Sequence, residues 1–532
     1  MHILKHYFFT LASIGIFTFF VSCSGYSQLS ANSTMHNTSL PASGKSPKSS
    51  DKSDGSTNFG SNEDSLRYDN TAKTAEYLES IQDKEVLLRQ FFAQMPKGAD
   101  LHNHLTGSVY AETYYELACV DSLWVDTLSG KLYDKNTKDT ISLFRLLPDH
   151  IHSNHALQVK LIDKWSVRNF HSYNYNIPQD EHFFNTFGLF GAATGKNMVA
   201  LIDELKKRAV HENVQYLEIM GTSPSVSDGK INTAMGDSTY YRRKNDSLLS
   251  AINSTDTNQI RNVISAIVNE MNSKKAWKDE GRVYGNYIDS LDSASIEDTN
   301  LVTRYLSYAS RNSDPLKVLA QLHIGFMASS DSSNKVVGVN IVSAENSEIS
   351  MAHYTAHMLM FSVLNSVYPN VKTTLHAGEL TMGLVKPEKL SSHIAQAVYI
   401  AKADRVGHGV DIAFEQSSSA LLKHMRENSI PVEINLTSNE FILGVKDDAH
   451  PIILYIKAEV PLIISTDDAG ILRTNLAEQY VLLVRRYGLT YYQIKQMVRN
   501  SIRYSFLKDD KKQEISAGLD SKLEAFESSI WR

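Results

Sequence analysis

From Gly98 onward the chain alternates short apolar runs with longer helical or irregular stretches. The runs are Ala99–His104, Tyr216–Met220, Val318–Phe326, Val336–Ser343, Thr373–His376, Arg405–His408, Val432–Leu436 and Pro461–Thr466. Short apolar runs that alternate with helices predict strands of a parallel sheet covered on its faces. Eight of them predict a closed (β/α)8 TIM barrel, a fold whose reactive groups sit at the C-terminal ends of the strands. The stretch between His104 and Tyr216 is far longer than an ordinary strand-to-helix connection. It carries the aromatic segment His182-Phe183-Phe184-Asn185-Thr186-Phe187. A second insertion, dense in Ser, Asp and Asn, fills residues 222 to 300. Insertions after strands 1 and 2, at about 119–190 and 222–300, are expected to build a pocket wall or an oligomer contact.

The amino-terminal part reads differently. Ala72, Ala75, Leu78, Ile81, Val86, Leu87 and Phe91 recur at helical spacing, which predicts a helical extension over 71–94 ahead of the barrel. Residues 23–70 are polar and cannot bury enough apolar surface to offset chain entropy, so a tether is expected there. Before it, Lys5 and His6 precede an apolar run from Tyr7 to Val21 that ends in Val21-Ser22-Cys23. A charged start, a short apolar core and small residues predict an export signal over 1–22. A lipid on Cys23, an ordinary cleaved signal and a retained anchor all fit this segment. The expected domain is therefore 71–532, on an exported protein joined to a membrane only through a lipid on Cys23.

Composition narrows the chemistry. Hydrophobic residues make up 42% of the chain, enough for a large core, and the net charge of -6 gives no footprint for binding nucleic-acid phosphates. Cys119 is the one cysteine besides Cys23, so disulfides are not expected to hold the fold. Nothing in the sequence sets an oligomeric state.

The chemistry lies at the ends of the apolar runs. In Met95-Pro96-Lys97-Gly98-Ala99-Asp100-Leu101-His102-Asn103-His104-Leu105, two histidines at i and i+2 of a strand point to one side. Two such imidazoles are half of a zinc site. His376-Ala377-Gly378-Glu379, Gly407-His408-Gly409 and Ser465-Thr466-Asp467-Asp468 close later runs. A lone strand histidine is ordinarily a hydrogen-bonded structural residue, and adjacent aspartates are common in loops. Four strand ends that each carry such groups are not ordinary. His102, His104, His376 and Asp467 supply a nitrogen and oxygen set suited to one zinc ion per chain. Glu379 is placed to hand a proton to a bound ring, and His408 to orient or deprotonate a water. The chain has no Gly-rich phosphate loop, no Gly-x-Ser-x-Gly elbow, no His-Glu-x-x-His, and no Pro-Cys-x-x-Cys of the other zinc deaminases.

These segments, in this order, resemble the adenosine deaminase family of the metal-dependent amidohydrolases over roughly residues 90 to 510. Asn435-Leu436-Thr437-Ser438-Asn439 and His450-Pro451 are lesser matches. The export segment, the long first insertion and Val339–Asn346 resemble the secreted, growth-factor-type branch. The resemblance implies zinc-dependent deamination of adenosine, and of 2′-deoxyadenosine, to inosine and ammonia. Zinc would sit on His102, His104, His376 and Asp467. Glu379 would protonate purine N1 and His408 would position and deprotonate the zinc water. Asp468 would bond N7, with His104, Thr106 and Ser343 also touching substrate. Thr106 stands where the family commonly has Asp, Ser343 where it has Gly, and Asn340 and Asn346 where acidic residues are frequent. The alternatives are another 6-aminopurine deaminase on the same barrel and a non-catalytic extracellular binding protein.

Overall fold

The computed structural model describes residues 61–143, 155–172 and 176–530. The expected export signal, Cys23 and most of the expected tether lie outside these residues. The strands are β1 (Gly98–His104), β2 (Trp124–Asp126), β3 (Leu132–Tyr133), β4 (Thr140–Ser142), β5 (Val214–Met220), β6 (Val302–Ser310), β7 (Val336–Val342), β8 (Lys372–Ala377), β9 (Arg405–His408), β10 (Val432–Ile434) and β11 (Leu462–Ile464). Eight of them form one parallel sheet in the order β1-β5-β6-β7-β8-β9-β10-β11. Its two edges meet: Asn103 bridges to Asp467, the Asp467 amide donates to the His102 carbonyl (2.8 Å), and the His104 amide donates to the Asp467 carbonyl (3.1 Å). The sheet is thus a closed (β/α)8 barrel, and its seam runs through three of the expected metal ligands, His102, His104 and Asp467.

Seven of the eight expected strands are found. The third is not. Val318–Phe326 lies within helix Pro315–Ser330, started by Pro315 in its first turn, and the third barrel strand is β6. The helix is apolar on nearly every side because it is buried among its neighbours, so it reads as a core strand. The strand β6 carries Arg304, Tyr305, Ser307 and Tyr308 and reads as polar.

The helical extension is present as Ser61–Ser80 and Glu85–Gln94, the first running across position 70. It is held to the C-terminal helix Asp509–Ser529 by Thr71 Oγ1 donating to Glu527 (2.8 Å) and by Phe91 edge-on to Phe526 (5.1 Å). Val86, expected on the buried face, is exposed. The first insertion contains the small antiparallel sheet β3-β2-β4 and helix Gln179–Phe190, and the second is four helices between Asp228 and Ala294. Cys119 is buried and unpaired in a disulfide. Among the described residues no helix is long and apolar enough to cross a membrane.

Candidate active site

A cavity of about 290 Å³ opens over the C-terminal ends of the barrel strands. Every site residue expected from the sequence reaches it or stands directly behind it. His104, Thr106, Ser343, His376, Glu379, His408, Asp467 and Asp468 line it, and His102 lies beneath them, fully buried. The opposite wall is Phe183, Phe184 and Phe187 from helix Gln179–Phe190. That helix is tied to the loop after β7 by Asn346 Nδ2 donating to Asp180 (3.0 Å).

Nitrogen and oxygen atoms converge at the cavity floor. His376 Nε2 lies 3.1 Å from His102 Nε2 and 3.2 Å from His104 Nε2, and Asp467 Oδ1 lies 3.3 Å from His104 Nε2 and 3.6 Å from His102 Nε2. Donors about 2.0–2.1 Å from a tetrahedral zinc stand roughly 3.4 Å apart, so these spacings fit such an ion. The outer faces of the rings are fixed as ligand rings require. His102 Nδ1 donates to Glu433 (2.7 Å), and His376 Nδ1 donates to Asn340 Oδ1 (3.1 Å). Burial would lower the His102 pKa, but bonds to Asp467 and Glu433 outweigh it and hold it at about 10. Burial pushes His376 well below the ordinary histidine value, while His102 and His104 hold the Asp467 carboxyl well below the usual range despite burial. The nitrogen and carboxylate donors that meet here are of the type that holds a divalent cation. The distances alone also admit His408, whose Nε2 is 3.8 Å from Asp467 Oδ2.

Two further carboxyls behave oppositely. Burial and the neighbouring Asp467 charge raise both Glu379 and Asp468 well above the usual carboxylate range. Both are therefore pushed toward the protonated form beside the Asp467 carboxylate, since like charges this close in a buried site disfavour one another. The Glu379 backbone is fixed by Glu345, which accepts from the Gly378 and Glu379 amides (3.1 and 3.0 Å). Asp468 fits only because residue 107 is glycine: a Cβ there would lie 1.5 Å from its Oδ1.

Sequence reading missed Glu433, Tyr308, Ser310, Arg311 and Ile442, and gave Glu345 and Asn439 no role of their own. Glu433 had a visible signal, as a carboxylate inside the apolar run Pro431–Ile434. It also accepts from Arg405 (2.5 Å) and Thr374 (2.9 Å), and burial is overcome by the Arg405 charge to bring it down to about 2. Arg405 in turn donates to Glu218 (2.5 Å), so a buried ionic chain leads from the barrel interior to His102.

A family model described as adenosine deaminase matches residues 280–522. The aminodeoxyfutalosine deaminase of Streptomyces coelicolor is 32% identical over 155 residues, 29% of this chain and 37% of that protein. The adenosine deaminase of Clostridium acetobutylicum is 28% identical over 151 residues, 28% of this chain and 42% of that protein. The alignments thus span about two fifths of the length of these curated relatives. Among solved structures, Arabidopsis ADAL complexed with IMP superposes with a TM-score of 0.51 at 21% identity, covering 82% of this chain and 99% of that one, a likeness of fold. The barrel, the ordered motifs and the family model over residues 280–522 together make this part of the chain similar to the adenosine deaminase family.

Proposed function

We propose that this protein is a zinc-dependent hydrolase that deaminates adenosine, and 2′-deoxyadenosine, to the inosine product and ammonia. The observation that carries the reading is one cleft in which His102, His104, His376 and Asp467 converge beside Glu379 and Asp468, whose carboxyls burial and the Asp467 charge raise well above the usual range. A zinc ion bound to those four groups would supply Lewis acidity and make water a competent nucleophile near neutral pH.

The chain's own groups do the rest. Neutral Glu379 gives its proton to purine N1, which draws electrons from C6 and opens it to attack by water oxygen. Neutral Asp468 donates to N7, an acceptor that an ionised aspartate would repel. When the C6–N6 bond breaks, N6 leaves as ammonia with one proton of the water, the other water proton restores the Glu379 acid, and C6 keeps the oxygen as a carbonyl. Phe183, Phe184 and Phe187 cover the nucleoside and keep bulk water out of the site.

The choice of nucleoside over nucleotide is supported by the described residues of the cavity lining, among which there is no lysine or arginine. A phosphate there would lack a charged partner. Ammonia release from adenosine, 2′-deoxyadenosine, adenine and AMP, each tested with zinc-loaded protein, checks the proposal. Adenosine and its 2′-deoxy form should turn over with the highest kcat/KM; a preference for AMP or adenine would overturn the substrate choice. Export with lipidation of Cys23 belongs to the same proposal, supported by the Lys5–Cys23 segment. Membrane fractionation of wild type and Cys23→Ser tests it: the wild type should pellet and the variant should not.

A further inference from the structure

Two side chains outside the expected catalytic set, His450 and Asn439, form a directed relay that ends on His408. It starts at the backbone amide of Ile452, which can only donate and which gives its hydrogen to His450 Nδ1 (3.2 Å). Burial and the Arg486 charge bring His450 down to about 4, so its ring is neutral with its one proton on Nε2. That proton goes to Asn439 Oδ1 (3.0 Å). With its carbonyl so engaged, the Asn439 carboxamide presents its NH2 to His408, and Nδ2 donates to His408 Nδ1 (3.0 Å). Because Nδ1 accepts that hydrogen it carries no proton of its own, so the ring is neutral. Its single proton is therefore on Nε2, which is buried, faces the cleft and has no hydrogen-bond partner. The other group near Nδ1, Glu379 Oε1, is 3.7 Å away, beyond hydrogen-bond range.

We infer that Asn439 and His450 are positioning residues that lock His408 in its Nε2–H tautomer. His408 then meets the reaction as a hydrogen-bond donor and not as a general base. A ring with its proton already on Nε2 has no lone pair there to take a second proton. This revises the expectation that His408 deprotonates the water: the ring orients the attacking oxygen instead. The tautomer stands on the hydrogen bonds alone, while its catalytic consequence rests on the deaminase reading.

The test is ring-15N NMR on the full chain, metal-free, with labelled histidine and His408→Gln to identify the His408 signals. Wild type should show a protonated Nε2 and a bare Nδ1. Asn439→Asp, whose carboxylate can only accept, should reverse the pair. Should that variant not fold, His450→Gln, which can still donate to Asn439, should keep the wild-type pattern and His450→Ala should lose it. A protonated Nδ1 in wild type overturns the inference whatever the activity. The expected pattern in a protein that turns over no 6-aminopurine upholds the relay and removes the deaminase reading instead. In active protein, His408→Gln, whose side-chain amide can replace the donor, should keep kcat within about tenfold of wild type, whereas His408→Ala should lose about 100-fold or more at little-changed KM. Equal losses in the two variants contradict the donor role.

Discussion

Ser343, His408 and Asp467 all face the cleft with left-handed backbone, at φ 84°, 69° and 61°. Such angles cost a side chain other than glycine about 1–3 kcal/mol and persist only where the surroundings over-determine them. At Ser343 the angle explains why glycine is common there in the family, and a bond between the Ser343 and Ser310 hydroxyls (2.9 Å) holds the serine in place. The groups behind the ligands are as exacting. Glu433→Gln removes the charge that orients His102, so zinc affinity should fall about 10–100-fold by competitive chelator titration, with the fold intact. An unchanged affinity would mean that Glu433 serves only the Arg405 ionic chain. At this scale the sequence showed the residues that converge on the cavity, because His, Glu and Asp at strand ends are conspicuous. Their supports were not legible. Asn340, Asn439 and Glu345 act through bonds to other strands, and nothing in an asparagine's type says which ring it will meet.

The element scale shows where periodicity misleads. Helix Pro315–Ser330 and strand β6 exchanged appearances because burial on all sides erases a helix's polar face, while a strand that contributes Arg304 and Tyr308 to polar surroundings loses its apolar signature. The remaining seven strands kept theirs because both faces of each are packed. Helix Gln179–Phe190 was visible as an aromatic cluster but not as a cavity wall, since its position depends on long-range contacts: Asn346 to Asp180, His182 to the Ser166 carbonyl (3.0 Å) and Phe190 stacked on Tyr114 (4.2 Å). Losing a hydrogen bond of this kind costs about 0.5–1.5 kcal/mol. Asn346→Ala should therefore raise KM for adenosine by about 2–10-fold. Its kcat should stay near wild type, because no catalytic group moves. A large fall in kcat with constant KM would show that the helix does more than cover the substrate.

Across the whole molecule, buried neutral histidines link stability to pH. His323 accepts from Trp277 Nε1 (3.1 Å), lies against Asn272 Oδ1 (3.1 Å), and is pushed down by burial to about 3. Its pKa is lowered on folding, so the unfolded chain takes up the proton first as pH falls. The stabilisation is complete above about pH 6.5 and drains at about 1.4 kcal/mol per pH unit down toward pH 3. Between pH 7 and pH 5 this residue should account for about 2 kcal/mol of lost stability in urea unfolding. His323→Gln, though less stable overall, should lose correspondingly less over that interval; an equal loss would assign the pH dependence elsewhere. Metal adds a second global term. A cation that binds only the folded barrel at 1,000 times its Kd contributes about 4 kcal/mol, so chelation should lower Tm and zinc should restore it.

Ammonia release from adenosine by zinc-loaded wild type and Glu379→Gln tests the central claim most directly. Sustained turnover by wild type is predicted, with a loss of about 100-fold or more in kcat for the variant, at similar KM and equal zinc content. Turnover that survives the substitution would contradict Glu379 as the proton donor. No turnover of adenosine by folded, zinc-loaded wild type would contradict the function proposed for this barrel.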